Sequence, residues 1–274
     1  MNKRIAGSIN PTVLVVASGK GGTGTSVVSA LLGLAVAGEG RQVLLVDGTE
    51  SYGALHHMLG VTPRHPLAVL RGDHVDVEDL LTPVDERLSL FPGGADENST
   101  VAPLSQTERQ LLFRRVRELY SNFDLVVVDA GSRLEAVLTA CDGGVTRLLL
   151  VVPDERIAMA ASHGLLKAVD ARNPGLPVDI LTNRCDDEEG ATVHSHMANA
   201  AERFLLRGVG YAGCIPADQC LQGGMGAGMT IQDAAAGSPA AIAARSAGLH
   251  MLSERIMPAN RSVTPGQTLL VRHA

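Results

Sequence analysis

Between an apolar run, Val13–Ala17, and an apolar stretch of helical character, Val27 to Ala37, lies Gly19-Lys20-Gly21-Gly22-Thr23-Gly24-Thr25-Ser26. Gly21, Gly22 and Gly24 let the backbone curl so that successive N–H groups point into one concavity. The helix that follows adds the positive end of its dipole. Strand, glycine loop and helix in this order are the layout of a phosphate-binding P-loop. The feature constrains the fold: a strand must end, and a helix begin, at one shared edge. One position departs from the pattern. A P-loop reads Gly-Lys-Ser/Thr, and here the residues are Gly24-Thr25-Ser26.

The rest of the chain repeats the strand and helix alternation. Short β-branched or leucine-rich runs occur at Val13–Ala17, Val43–Val46, Leu88–Phe91, Leu125–Val128, Leu148–Val152, Val178–Leu181 and Tyr211–Ile215. Helical spacing falls between most of them. One helix starts at Ser105, with Glu108 completing a capping box; others are predicted over about 156–169, 191–206 with Val193, Met197, Ala201 and Phe204 on one face, and from Ser238-Pro239 to about Ile256. Continuous apolar strands alternating with helices predict an α/β fold: a doubly wound, mostly parallel sheet with helices on both faces. With 45% hydrophobic but only 3% aromatic residues, the core must be aliphatic. No linker or internal repeat is visible, so residues 1–257 read as one nucleotide-binding domain and 258–274 as a tail in which Leu269-Leu270-Val271 could dock. Gly223 to Gly228 reads as a mobile loop.

A formal net charge of −6, with no long basic run, argues against a nucleic-acid binder. The N-terminal residues lack an apolar signal core, and no apolar stretch reaches the ~18–20 residues of a membrane span. The expected location is cytoplasmic.

Lys20 precedes the departing position by five residues, and Lys-Gly-Gly-x-Gly-x-Ser resembles the deviant P-loop of the MinD/ParA family, Lys-Gly-Gly-x-Gly-Lys-Ser/Thr. The resemblance implies that Lys20 reaches across a nucleotide-dependent homodimer to the partner's nucleotide. It implies that Ser26 binds Mg²⁺ and that Gly21, Gly22, Thr23, Gly24 and Thr25 line the phosphates of ATP or ADP. Thr25 stands where the family places the lysine that contacts the β- and γ-phosphates. Leu44-Leu45-Val46-Asp47-Gly48-Thr49 resembles the family segment whose first aspartate, here Asp47, lies near the metal. The second, which orients the attacking water, is replaced by Thr49. Leu125 to Gly131 resembles a Walker B strand ending in the Mg²⁺ carboxylate Asp129, although Ser132-Arg133 departs from the switch that follows it. Leu181-Thr182-Asn183-Arg184 and Ile215-Pro216-Ala217-Asp218 resemble the base-bordering segments, which makes Asn183, Pro216 and Asp218 base contacts by implication.

The resemblance spans about residues 12–255 and is closest to the FlhG branch, supported by His56 to Gly60, Ala68 to Gly72, Leu90 to Gly94 and Ser238 to Ala241. It implies a regulatory switch in the spatial or numerical control of flagella, partnered by a flagellar or other polar-assembly protein. ATP hydrolysis is expected to be weak or absent, because both side chains of γ-phosphate chemistry are replaced. The alternatives are a nucleotide-independent scaffold resembling the pilus-localisation proteins of the TadZ/CpaE type and a low-activity ATPase of another MinD/ParA branch. A ligase of the dethiobiotin-synthetase type shares the fold, but Lys20 and the FlhG-like segments argue against it. The segment after Met257, with Pro258 and Pro265, does not read as a membrane-targeting helix.

Other polar clusters read as ordinary surface or core. His194 and His196 point in different directions on a helix. Asp186-Asp187-Glu188-Glu189 reads as a solvated loop. Cys141, Cys185, Cys214 and Cys220 form no CxxC pair and read as buried free thiols.

Overall fold

The computed structural model describes residues 11–48, 53–63, 76–93, 105–142 and 144–253. The sequence features at Thr49, Ala68–Gly72, Gly94 and 258–274 lie outside the described residues. Eight strands form one sheet: β1 (Thr12–Ala17), β2 (Val43–Asp47), β3 (Thr82–Pro83), β4 (Leu88–Phe91), β5 (Leu125–Gly131), β6 (Arg147–Pro153), β7 (Val178–Asn183) and β8 (Gly210–Ile215). Their order is β3-β4-β2-β5-β1-β6-β7-β8. All neighbours are parallel except the two-residue edge strand β3, antiparallel to β4. Every residue of β1, β2 and β7 is buried, as central strands covered on both faces require.

The described helices are α1 (Thr25–Gly38), α2 (Leu55–Leu59), α3 (Gln106–Arg117), α4 (Leu134–Ala140), α5 (Arg156–Arg172), α6 (Asp187–Leu205), α7 (Gln219–Gly226), α8 (Ile231–Ala234) and α9 (Pro239–Ser253). Alternate residues of each strand feed opposite layers. Val13 and Val15 join a core with Val116 of α3, Val137 of α4, Leu166 of α5 and Val193 of α6. Leu14 and Val16 join the other with Val28 and Leu32 of α1 and Ala244 of α9. The doubly wound sheet predicted from the alternation is therefore observed.

Local signals set the helix starts. Ser105 and Glu108 form the capping box of α3. Ser238 accepts a hydrogen bond from the Ala241 N–H at the head of α9. Two sequence readings need correction here. The acidic run is not a solvated loop: Asp186 caps α6 and Glu189 closes a second capping box, placing carboxylates at the positive end of the dipole. Gly223 to Gly228 is not simply a loop, because α7 runs through Gly226. Gly224 permits close packing there, since a Cβ on it would sit 2.7 Å from the Ala234 Cβ.

Phe204 also differs from expectation, being 64% exposed. Val193, Met197 and Ala201 recur every four residues, and that spacing continues to Leu205, which packs against the core. Cys141 and Cys185 are buried as expected, but Cys214 is half-buried and Cys220 exposed. No helix among the described residues is long and apolar enough to cross a membrane.

Candidate nucleotide site

The glycine loop is clamped where β1 meets β5. Ala17 pairs with Gly131, and the Ser18 N–H donates to the Gly131 carbonyl at 2.9 Å. Gly19 lies directly on α5: a Cβ there would come 2.1 Å from the Ser162 nitrogen, and its own N–H donates to Ser162 Oγ at 3.3 Å. Gly22 and Gly24 take left-handed φ values of 80° and 96°. Gly24 is the N-cap of α1 and supplies no side-chain cap. The first-turn N–H groups of α1, which no intrahelical carbonyl can satisfy, are thereby left to a ligand.

Thr25, at the lysine position, is engaged within the loop. Its hydroxyl donates to Ser18 Oγ at 3.1 Å and lies 3.2 Å from the Thr23 hydroxyl. Ser18 Oγ in turn donates to the Lys20 carbonyl at 2.8 Å. All three hydroxyl residues are buried. The chain of hydroxyls satisfies the loop internally and brings no cation to it. Lys20 points away, with Nζ 2.6 Å from Glu155 Oε2. Both side chains are close to half exposed. Solvent screens the pair, so it orients Lys20 more than it stabilises the fold. The hydrogen bond from Lys20 holds the Glu155 carboxyl below the usual range.

Asp47 and Asp129 are direct register partners at the ends of β2 and β5. Two loops wrap Asp47: a Cβ at Gly53 would lie 2.8 Å from its Oδ2, and one at Gly93 2.7 Å from its Oδ1. The Leu55 N–H donates to Asp47 Oδ2 at 3.3 Å. Asp129 is fully buried and accepts from the Gly131 N–H through Oδ1 at 3.2 Å, while its Oδ2 has no hydrogen-bond partner among the described residues. Burial, reinforced by the charge of Asp47, pushes the Asp129 carboxyl up to about 7, against the opposing pull of the Ser26 hydroxyl and the Gly131 N–H.

An orphaned buried carboxylate oxygen beside a hydroxyl and a second carboxylate calls for a cation or a proton. Mg²⁺ suits the set, since it takes one or two carboxylates and completes its shell with water and phosphate oxygens. No cluster of three or more His, Cys, Asp or Glu able to hold a metal occurs among the described residues.

On the other side of Gly24 lies a cavity of about 320 Å³, lined by Gly24, Val27, Asn183, Arg184, Pro216 and Met225 among others. Its size matches a small-molecule pocket. Asn183 donates from Nδ2 to the Thr23 carbonyl at 2.7 Å, tying the end of β7 to the loop. Asp218 borders the cavity through a structural task. Its Oδ1 accepts from the Leu221 N–H at 3.0 Å and its Oδ2 from the Ala240 N–H at 3.3 Å, so one carboxylate caps both α7 and α9. The Leu221 bond leads in holding this carboxyl below the usual range.

The structure thus gathers Gly21 to Ser26, Asp47 and Asp129 at one edge, with Asn183, Pro216 and Asp218 beside them. Ser18, Ser162, Glu155 and Arg184 join the same surroundings, and sequence reasoning did not single them out as site residues. Arg184 follows Asn183 directly and carries a left-handed φ of 63°, but no one-dimensional pattern marks Glu155 or Ser162. Thr49, the other departing position, lies outside the described residues.

Residues 12–188 match the family described as cellulose biosynthesis protein BcsQ. The chain is 28% identical over 218 residues to the antiactivator FleN of Pseudomonas aeruginosa, covering 79% of this chain and 78% of FleN. It is 23% identical over 197 residues to the flagellum site-determining protein YlxH of Helicobacter pylori, covering 72% and 66%. Among solved structures it resembles the cell division ATPase MinD of Pyrococcus furiosus, with a TM-score of 0.68 at 22% identity over 90% of this chain and 99% of that one. The MinD of Pyrococcus horikoshii, solved with Mg-ADP, gives a TM-score of 0.68 at 21% identity over 88% and 95%. These structures carry the fold, and the family match covers more than half of the sequence. The chain belongs to the BcsQ family and shares the fold of the MinD and ParA structures.

Proposed function

We propose that the chain is a MinD/ParA-class regulatory switch that binds ATP or ADP with Mg²⁺ and turns it over slowly or not at all. The observation that carries this reading is Asp129, a buried carboxylate with an unpartnered oxygen beside Ser26 and Asp47. In this reading Ser26, Asp47 and Asp129 hold Mg²⁺ directly or through water. The backbone of Gly21 to Ser26 receives the phosphates, and the cavity at Asn183, Pro216 and Asp218 receives the base. Bound Mg²⁺ would neutralise phosphate charge and draw the Asp129 carboxyl to its ionised form. Thr25, tied to Ser18, leaves the β- and γ-phosphates without a lysine; losing one charge-assisted contact costs about 1–3 kcal/mol. Binding at micromolar to millimolar strength follows.

FleN and YlxH support a role in the spatial or numerical control of flagella. The family description names cellulose biosynthesis instead, so the assembly served is the part that a partner must decide. A MinC:MinD complex from Aquifex aeolicus is among the structural neighbours, and we propose likewise that this chain acts with a partner protein and as a nucleotide-dependent homodimer. Calorimetry with Mg-ATP and Mg-ADP tests the reading. Absence of binding refutes it, and turnover at or above ~1 s⁻¹, within the ordinary enzyme range, refutes the slow-switch part.

A second reading, a nucleotide-independent scaffold, draws on the hydroxyl chain that satisfies the loop without a ligand. It requires that sedimentation be unchanged when ATP is added.

A further inference from the structure

Cys185 and Cys214 come from segments 29 residues apart, and their sulfurs meet at 3.5 Å. Cys214 belongs to β8, and Cys185 follows the end of β7 by two residues. The Cys214 thiol also donates to the Cys185 carbonyl at 3.0 Å. A disulfide needs its sulfurs about 2.05 Å apart, so closure asks the pair to approach by about 1.5 Å. Both cysteines adjoin the cavity. Arg184, which lines it, precedes Cys185; Ile215, whose carbonyl accepts the Arg184 N–H at 2.8 Å, follows Cys214. One residue further back, Asn183 holds the glycine loop through Thr23.

We propose that Cys185 and Cys214 are an oxidisable pair whose disulfide reshapes the base side of the nucleotide pocket. Cys214, half-buried, is the sulfur an oxidant reaches first, whereas Cys185 is buried. Burial pushes the Cys185 thiol up to about 12, so Cys185 is the poorer first nucleophile toward the oxidant. With a peroxide as two-electron oxidant, the Cys214 thiolate attacks one peroxide oxygen. The O–O bond breaks, water leaves and a sulfenic acid forms. The Cys185 sulfur then attacks the Cys214 sulfur, losing its proton as the S–O bond breaks and a second water leaves. In sum, two thiols and one hydrogen peroxide give one disulfide and two waters. Such a bond in a reducing compartment is transient, as a redox signal requires.

The consequence for the pocket rests on the nucleotide reading above. Pulling Cys185 toward β8 moves Arg184 and strains the Asn183 bond to the loop, so the oxidised chain binds ADP more weakly.

The test uses the full chain carrying Cys220→Ser, because Cys214 and Cys220 share one tryptic peptide, residues 208–245. After hydrogen peroxide, non-reducing peptide mapping is expected to show 185–203 linked to 208–245, with the link released by dithiothreitol. Calorimetry is expected to show ADP affinity about fivefold or more weaker in the oxidised form, restored on reduction, and insensitive to peroxide when Cys214→Ser is added. No linked peptide overturns the pair. A linked peptide with unchanged ADP affinity overturns the coupling to the pocket. A reduced chain that binds no ADP refutes the nucleotide reading, and the linked peptide then decides the pair alone.

Discussion

Replacing Asp129 with Asn should stabilise the metal-free protein above neutral pH. The carboxyl lies at about 7 in the folded chain, against an ordinary value of 3.8. A carboxyl raised on folding binds its proton more tightly in the native state. Stability is therefore greatest below the unfolded value, falls as pH rises toward 7, and stays low beyond it. At about 1.36 kcal/mol per pH unit, the deficit at pH 8 approaches about 4 kcal/mol. Asn has the same shape and no charge. Its Oδ1 can still accept from the Gly131 N–H, now 3.2 Å from the Asp129 Oδ1. Its amide nitrogen replaces the orphaned Oδ2 with a neutral group and removes a like charge beside Asp47, its register partner. Urea unfolding in EDTA at pH 8 should therefore show Asp129→Asn more stable than wild type by about 2–4 kcal/mol, with the gain roughly halved at pH 5 and gone near pH 3. Saturating Mg-ADP should then stabilise wild type far more than the variant, since a ligand stabilises in proportion to its affinity for the native state. A variant less stable than wild type at pH 8 without metal would refute the reasoning, as would a difference independent of pH.

Thr25→Lys should tighten Mg-ATP binding about 10- to 100-fold by restoring a charge-assisted phosphate contact; unchanged affinity in calorimetry would show that the loop has drifted beyond this position. If the two departing positions account for slow turnover, Thr25→Lys combined with Thr49→Asp should restore phosphate release that neither change restores alone. Gly19→Ala should cost about 1–3 kcal/mol or prevent folding, because the new Cβ would meet the α5 backbone at 2.1 Å, whereas at Gly21 the nearest atom is 3.7 Å away and alanine should change unfolding by less than about 1 kcal/mol. Asp218→Ala should cost about 1–3 kcal/mol in urea unfolding at pH 7 by uncapping α7 and α9. Because folding lowers the Asp218 carboxyl, the stability it supplies is present above about pH 4 and lost as pH falls through the folded value, so the difference from alanine should shrink toward pH 2.

The alternation of buried strands and helices was legible because a parallel sheet covered on both faces writes continuous apolar runs directly into the chain, such as Leu125–Val128 in β5 and Leu148–Val152 in β6. Asp47 and Asp129 were legible because each ends such a run, and parallel register then makes them neighbours. What stayed hidden depends on contacts between segments distant in sequence. Nothing near Thr25 announces that Ser18 will accept its hydrogen bond, and nothing near Asn183 announces the Thr23 carbonyl. The cysteine pair forms only because β7 and β8 are adjacent and parallel, a pairing that composition does not carry. Local signals were also misjudged where two meanings compete. The acidic run at 186–189 is as good a helix start as a loop, and a glycine such as Gly224 in α7 marks tight packing as readily as mobility.

The distribution of unfavourable contacts across the site favours a ligand over an empty scaffold. At the lysine position the loop is at rest: Thr23, Thr25 and Ser18 satisfy one another, and Lys20 is paired with Glu155. At the metal position it is not, since two adjacent carboxylates repel and one oxygen of Asp129 is buried without a partner. A scaffold indifferent to nucleotide gains nothing from that arrangement, and a neutral side chain at Asp129 would relieve it. A protein that binds Mg²⁺ with a phosphate needs the arrangement, because the cation converts both the repulsion and the unmet oxygen into attraction. The electrostatic cost therefore lies where binding would relieve it and is absent where γ-phosphate chemistry would need it. On the proposed reading, that is the pattern expected of a site that holds nucleotide rather than consuming it.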